Sequence, residues 1–423
     1  MNKPKGSGFI QRLSKIKPAS KDRQIVVGTW SQNINLYLWL LSLVLGFGMF
    51  LLRGNTGLDL ADEGYLWYGV DRVCHGEVPF VDFDSYDPAR YYWSAFFFRV
   101  WHPGVTVLRF SETMFQIVGL FFGLLSAKRI TENRFELAVV GLILTIWMFP
   151  GFKYFDCVVP MVAVFVGCRL FEMPSKRAIF GAGAFAGLAF FVGRNHGVYI
   201  ALAFFGLLMI DRIRAGRIWI SKKYLLFGFL TGLSPFFLMF LFLKGFPFAY
   251  FSKAFDLLRL SRSYSTPLLI PFPWSFLSGL GVDVNVLTSF IHGSLLLVMP
   301  LFYLFCLSFF IYKSKDEKVI GSFSVVCAVI GVCYLHYAFY GAEYSHLSVA
   351  ISPFWLGLLG LGRFETSTRR LFLVLVMGVT LCSIGVESRL FQLFNPSKAW
   401  PCVYSIGSDN VRVDLGTGVM LDI

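Results

Sequence analysis

Charge is scarce in this chain. Only 15% of its 423 residues are Asp, Glu, Lys or Arg, against 56% apolar and 18% aromatic. A water-soluble domain carries about 25% charged residues, so too few are left here to clothe a soluble globule. That shortage excludes a soluble enzyme, a nucleic-acid-binding domain and a disordered chain. The eight cysteines include no Cys-x-x-Cys pair and no Cys/His cluster of zinc spacing, which removes the metal-finger class. No A-x-A-like cleavage site follows the first apolar run, so that run reads as an uncleaved anchor. The apolar/polar alternation of a membrane β-barrel is missing too.

Continuous apolar blocks take its place, such as LYLWLLSLVLGFGMFLL at 36–52 and YLLFGFLTGLSPFFLMFLFL at 224–243. Blocks of about 20 residues match the thickness of a bilayer. The fold class expected is an all-α polytopic membrane protein with about eleven transmembrane helices. They fall at 35–52, 105–126, 135–150, 157–171, 178–192, 197–210, 224–243, 285–311, 319–335, 347–361 and 371–386.

The connections between these blocks alternate in charge. One set comprises residues 1–34 and the short loops AKRITENRFE, CRLFEMPSKR, DRIRAGRIWISKK, YKSKDEK and GRFETSTRR; it holds 24 Lys and Arg against 8 Asp and Glu. The other set holds 14 against 17. Basic loops stay in the cytoplasm. The pattern therefore predicts a basic cytoplasmic tail at 1–34, a transmembrane domain at 35–386 and a short extracytoplasmic tail at 387–423 with one hairpin around GSDN. The long loops, 53–104 and 244–284, fall on the outer side, where long loops carry function more often than short ones. A bacterial inner membrane with a periplasmic site is the expected location.

The first outer loop reads LDLADEGYLWYGVDRVCHGEVPFVDFDSYDPARYYWSAFFFRVWHPG. Carboxylates accept hydrogen bonds from sugar hydroxyls, and aromatic rings cover the apolar face of a sugar. The same composition also suits solvated acids beside an interfacial aromatic belt. Asp62-Glu63 directly follows the first span, and Leu66, Val70 and Val73 then mark a short helix. The stretch Asp87-Pro88-Ala89-Arg90-Tyr91-Tyr92-Trp93 leads into the second span.

In that order of residues the chain resembles the GT-C superfamily of membrane glycosyltransferases, which includes protein O-mannosyltransferases and the lipid A aminoarabinose transferase. There an acidic pair lies just after the first span, and a Pro-containing stretch ending in Tyr-Tyr or Tyr-Trp leads into the second. One departure is plain: many relatives have a basic residue followed by two prolines, where this chain has Asp87, one proline and Ala89. Whether Arg90 replaces that basic residue stays open. A carboxylate in the second outer loop belongs to the pattern, and Asp156 occupies that place here. Asp156 also suits an ordinary helix-end cap.

The resemblance implies an inverting transfer of a sugar from a polyprenyl-phosphate donor to an acceptor hydroxyl on a glycan, lipid or protein, at the outer membrane face, with membrane lipid around it and no nucleic acid. Such a reaction needs a base for the acceptor proton and positive charge for the departing phosphate. Asp62 is the expected base, with Glu63 orienting acceptor or donor and Asp156 as the third acidic member. In some relatives the acids bind a divalent metal instead, and Asp62 with Asp156 offers oxygen ligands for one. Lys153, Arg194 and His196 lie in short outer connections, where the outer face has few cations to spare. Arg259 and Arg262 belong to FSKAFDLLRLSRSY, an amphipathic interfacial pattern whose basic stripe suits a lipid phosphate or ordinary anionic lipid. Tyr65, Arg90, Tyr91 and Tyr92, with Glu343 and His346 at the outer mouth of the tenth span, are the expected substrate contacts; a lone His at an interface also suits a structural role. Cys74 and Cys402 are both outward and offer a disulfide in an oxidising compartment. Two other readings remain: a transporter or lipid-linked-glycan flippase, which predicts charges at mid-span and paired broken helices, and a glycan polymerase or ligase, which usually carries its large outer loop late.

Overall fold

A computed structural model describes residues 30–148, 153–215, 222–253, 255, 284–312, 320–341, 344–361, 366–387, 392–393, 395–406 and 408–422. The chain divides into Met1–Tyr37 and Leu38–Ile423, and the second unit holds the bundle and the site. Helix α1 (Trp30–Arg53) leads to the short helices α2 (Glu63–Cys74) and α3 (Pro88–Val100). The bundle continues with α4 (Val105–Ala127), α5 (Arg134–Trp147), α6 (Tyr154–Glu172), α7 (Lys176–Val192) and α8 (Arg194–Ala215). Helices α9 (Lys222–Gly232), α10 (Ser234–Phe242), α11 (Val284–Tyr312), α12 (Ile320–Gly341), α13 (Tyr344–Ala350), α14 (Ser352–Gly360) and α15 (Thr366–Glu387) complete it. The C-terminal segment adds α16 (Pro396–Ala399), strands β1 (Cys402–Ile406) and β2 (Asp409–Val413), and α17 (Leu415–Leu421).

Among the described residues, seven helices are long and apolar enough to cross a membrane, or eight if the bent pair α9 and α10 is one span. The chain is a predominantly helical protein with the helices of a multi-pass membrane protein. Over its described residues each apolar block of the sequence is helical apart from short breaks, but the length criterion does not reach eleven. Helix α5 has 14 residues, α7 has 17, and the tenth block breaks into α13 and α14. The break between α9 and α10 bends the chain by 49° beside Pro235, whose ring cannot sit inside a continuous helix. The blocks 178–192 and 197–210 are two helices, α7 and α8, separated at Gly193.

Helix direction alternates about one end. Arg53 at the end of α1 donates through Nη1 to Tyr154 Oη at the start of α6 (2.6 Å), while Arg109 near the start of α4 donates to the Arg53 carbonyl (2.9 Å). Helices α4 and α6 therefore begin at the same end, and α5 returns between them. Val192 at the end of α7 lies at this end as well, since its carbonyl accepts from Arg90 (3.3 Å), and α8 starts from there. At the other end of α5, Glu136 is held by Arg369 through a forked pair of 2.7 and 3.2 Å, which ties α5 to the start of α15.

Glycine decides how closely α7 and α9 approach. A Cβ on Gly183 would strike the Leu225 carbonyl, and one on Gly187 the Phe229 carbonyl. Reciprocally, Gly228 and Gly232 face the carbonyls of Phe180 and Ala184. Two small-xxx-small pairs thus bring backbone against backbone, the means by which helices associate where lipid removes the hydrophobic drive. Outward-facing side chains such as Leu241 (76% exposed), Phe242 and Leu371 are apolar, as a lipid-facing surface requires.

Helices α2 and α3 pack over the end where α4, α6 and α8 begin. Leu66, Val70 and Val73 are buried on α2 as their spacing predicts. Gly69 admits the fully buried Tyr91 ring, which a Cβ would strike. Ser94 of α3 hydrogen bonds Ser111 of α4 (2.8 Å), and Trp93 Nε1 donates to the Ser111 carbonyl. The C-terminal hairpin pairs Cys402 with Val413 through Ile406 with Asp409. It lies at this same end, against Val105 and Leu58.

Candidate functional site

Four helices begin at this end with a charged candidate residue in or beside the first turn. Asp62 stands at the N-cap of α2, Asp87 at the N-cap of α3, Asp156 in the first turn of α6 and Arg194 at the start of α8. The partial positive charge of a helix N-terminus favours carboxylates there. None of the aspartates uses its carboxylate as a local cap; each reaches to another element.

Asp62 is half-buried, and its Oδ1 accepts from Tyr86 Oη at 2.9 Å. The Tyr86 ring lies beneath the Arg90 guanidinium, 5.2 Å from its centroid, and meets the edge of Tyr65 at 5.1 Å. Arg90 is buried, donating through Nη2 to Asp156 Oδ1 (3.2 Å) and to the Val192 carbonyl. His196 Nε2 lies 2.8 Å from the same Asp156 oxygen, and its Nδ1 lies 2.8 Å from Tyr334 Oη of α12. With the proton on Nε2, the ring donates to Asp156 and accepts the Tyr334 hydroxyl. A continuous polar chain therefore runs from Asp62 through Tyr86, Arg90 and Asp156 to His196 and Tyr334. Burial opposes charge on Arg90, but Asp156 and then Asp87 more than compensate and raise its pKa.

A second ion pair lies beside the first. Arg194 Nε sits 2.8 Å from Asp87 Oδ1, and its backbone N–H donates to Oδ2 (3.0 Å). The Arg194 guanidinium stacks on Phe80 and Tyr250, 5.5 Å from each centroid. Phe80 adopts φ +69°, an unfavourable conformation for a bulky residue; its ring fills a cluster with Phe236, Phe246 and Tyr250. Burial pushes the Asp87 carboxyl above its usual range, and Arg194 only partly offsets that.

The acidic pair divides. Glu63 is 1% exposed, and Arg109 grips it with Nε on Oε1 (2.5 Å) and Nη2 on Oε2 (2.8 Å). Arg109 also donates to the carbonyls of Arg53, Gly54, Thr56 and Gly57. Burial raises the Glu63 pKa, and Arg109, with Arg53 and the Asp59 backbone behind it, more than reverses this, leaving the carboxyl below its usual range. The expectation that Glu63 orients a substrate is corrected by this geometry: both its oxygens are committed to Arg109. The expectation for Tyr91 is corrected likewise, because its ring is fully buried and its hydroxyl accepts from the Tyr86 N–H (2.8 Å). Arg90 and His196 face Asp156 and not a ligand surface. Tyr92 packs against the Phe80 cluster, whereas Tyr65 stays partly exposed beside Asp62. Burial, with the Asp84 charge, pushes the Tyr65 phenol up to about 12.

Lys153 is the N-cap residue of α6, on the site end. Lys253 pairs with Asp84, joining the second long loop to the first. His346 meets the Tyr337 ring at 5.2 Å, and Tyr337 in turn stacks on His196. Arg259, Arg262 and Glu343 lie outside the described residues. Cys74 and Cys402 are both free thiols.

The residues do not fit a metal ion shared by Asp62 and Asp156. Asp156 Oδ1 already receives Arg90 and His196, so a cationic guanidinium occupies the space a divalent ion would need. Among the described residues no group of three or more His, Cys, Asp or Glu converges.

Tyr86, Arg109 and Tyr334 are the members that sequence reasoning missed. Tyr86 could have been found, since it immediately precedes Asp87-Pro88; nothing in sequence ties Arg109 to Glu63 or Tyr334 to His196. In comparisons with known proteins, no family model, no curated protein and no solved structure matches this chain.

Proposed function

We propose that this protein is an inverting glycosyltransferase of the GT-C kind, moving a sugar from a polyprenyl-phosphate donor to an acceptor hydroxyl at the outer membrane face. The observation that carries this reading is the unequal treatment of the carboxylates. Glu63, Asp87 and Asp156 are buried and matched to arginines, while Asp62 alone of the four is partly open, beside the Tyr65 and Tyr86 rings.

The chemistry follows from that arrangement. The acceptor hydroxyl lies against Asp62 Oδ2, because Tyr86 holds Oδ1. As the hydroxyl oxygen attacks the anomeric carbon, its proton passes to Asp62. The bond from that carbon to the phosphate oxygen breaks on the opposite face, and the lipid phosphate leaves as an anion. Configuration is inverted. The ring of Tyr65 lies where a sugar face can stack. Arg194 and Lys153, with Arg259 and Arg262 of the following loop, supply positive charge for the phosphate. Arg90, itself held by Asp156, backs the Tyr86 ring.

The eleven-span topology belongs to this reading. Helices α5 and α7 each return to the site end between longer neighbours, so each would cross despite its length, and the broken α13–α14 pair would be the tenth span. The positive-inside pattern of the loops supports a site outside the cytoplasm. Apart from Glu136, which Arg369 holds at the opposite end, the described buried Asp, Glu and Arg side chains collect at the site end of the bundle, which favours chemistry at the surface over carriage through the middle.

The experiment is a panel of polyprenyl-phosphate sugars offered to purified protein, scoring glycoside formation and release of polyprenyl phosphate. Transfer from one donor, abolished in Asp62→Asn, is the expected result. Movement of a lipid-linked sugar across a vesicle membrane without cleavage of the glycosidic bond would replace this reading with the transporter.

A further inference from the structure

Residues 53–63 form the approach to Asp62, and they are gripped from two directions. Arg109 holds them from the bundle side. The other grip comes from the far end of the chain. Gly57 N donates to the Arg412 carbonyl (2.7 Å), and Arg412 N donates to the Asn55 carbonyl (2.8 Å). Thr56 makes an isolated parallel bridge with Arg412, so residues 55–57 add a third edge to the β1–β2 hairpin. Gly57 has φ +68° and packs against the Trp400 indole; a side chain there would be strained and crowded.

The hairpin is anchored to the bundle by Asp409. Its Oδ2 accepts from the Thr106 N–H at 2.7 Å, one of the N–H groups that α4 leaves without an intrahelical partner. Gly104, whose Cβ would run into that carboxylate, keeps the approach open. Val411 and Val413 are fully buried against Val105, with Leu58 and Trp67 packed beside them. The same apolar cluster therefore touches the start of α4, the approach to Asp62 and the helix that Asp62 begins.

From this we infer that the C-terminal hairpin positions Asp62, and that Asp409 is its key positioning residue. The inference rests on the proposed role of Asp62 as base. It assigns the C-terminal segment a part in catalysis although it supplies no reacting group. A carboxylate displaced by about 1 Å costs up to roughly a hundredfold in rate, so small slackening of 55–62 suffices to matter.

The test uses the full chain with Asp409→Ala, Asp409→Asn and Arg412→Pro, reading transfer kinetics and hydrogen exchange at residues 54–64. Asparagine keeps an oxygen for the Thr106 N–H; proline removes the N–H that reaches Asn55. The expected result is a roughly tenfold fall in kcat for Asp409→Ala, with donor KM within about twofold of wild type. Exchange at Gly57, Asp62 and Glu63 rises while the centre of α4 stays protected. Asp409→Asn restores both readouts, and Arg412→Pro repeats the loss should Asp409→Ala fold poorly. Unchanged exchange at these amides in both Asp409→Ala and Arg412→Pro overturns the inference, as does a kcat equal to wild type in both. If wild-type protein transfers no sugar from any donor, the base role of Asp62 falls instead, and the exchange data still judge the hairpin.

Discussion

Glu63→Gln and Asp62→Asn are neighbouring and chemically alike, yet opposite outcomes are expected. Glu63→Gln removes the counter-ion of Arg109 at a position where both side chains are nearly inaccessible, 1% and 3% exposed. An uncompensated buried charge costs about 3–5 kcal/mol. Arg109 keeps its backbone carbonyl partners, so the loss should fall toward the low end of that range. Asp62→Asn removes a half-buried charge and weakens one bond to Tyr86, about 1–2 kcal/mol at most. Thermal unfolding in detergent micelles, read beside sugar transfer, separates the two. Glu63→Gln should unfold at clearly lower temperature while the protein that remains folded still transfers. Asp62→Asn should melt nearly as wild type and transfer nothing. The pH dependence adds a second readout. The folded Glu63 carboxyl titrates below its usual value, so its contribution is complete above the unfolded value of about 4.3 and is lost as pH falls through the folded one. Wild type should therefore lose more stability than Glu63→Gln on acidification below about pH 4. A Glu63→Gln protein as stable as wild type but inactive would refute this division of roles and return Glu63 to the reaction.

Tyr86→Phe should lower kcat roughly tenfold with little change in donor KM, because it frees Asp62 Oδ1 without removing the aromatic surface; an unchanged kcat would show that the hydroxyl does not align the base. Gly228→Leu should cost about 1–3 kcal/mol or prevent assembly, read as lower unfolding temperature or lower yield, since its side chain meets the Phe180 carbonyl; a wild-type melt would remove the close packing of α7 and α9. Cysteines placed at Asp84 and Val403 should react with a membrane-impermeant maleimide from the same side, and one at Ile213, 84% exposed at the far end of α8, from the other. Labelling of Asp84→Cys and Val403→Cys from opposite sides would contradict the shared end.

Much of the architecture was legible because it rests on local pattern. The α2 helix followed from the spacing of Leu66, Val70 and Val73, and the hairpin from the turn residues of Gly407–Asn410. The placement of all apolar blocks as helices followed from their length and continuity, and loop charge gave the alternation of ends. The site was less legible. Asp62, Glu63 and Asp156 were visible as acids near one end, but sequence offers no measure of which carboxylate is paired and which is open.

Composition and hydropathy by themselves determined that this is a helical membrane protein whose acidic aromatic loop follows the first span, because the cost of burying backbone and charge in lipid is paid residue by residue. Tertiary structure alone decided the rest: that Arg109 takes Glu63, that Arg90 and His196 take Asp156, and that the last strand of the chain holds the approach to Asp62. Those choices depend on partners from 40 residues apart (His196 and Asp156) to 357 (Arg412 and Asn55) along the chain, about which a local pattern carries no information.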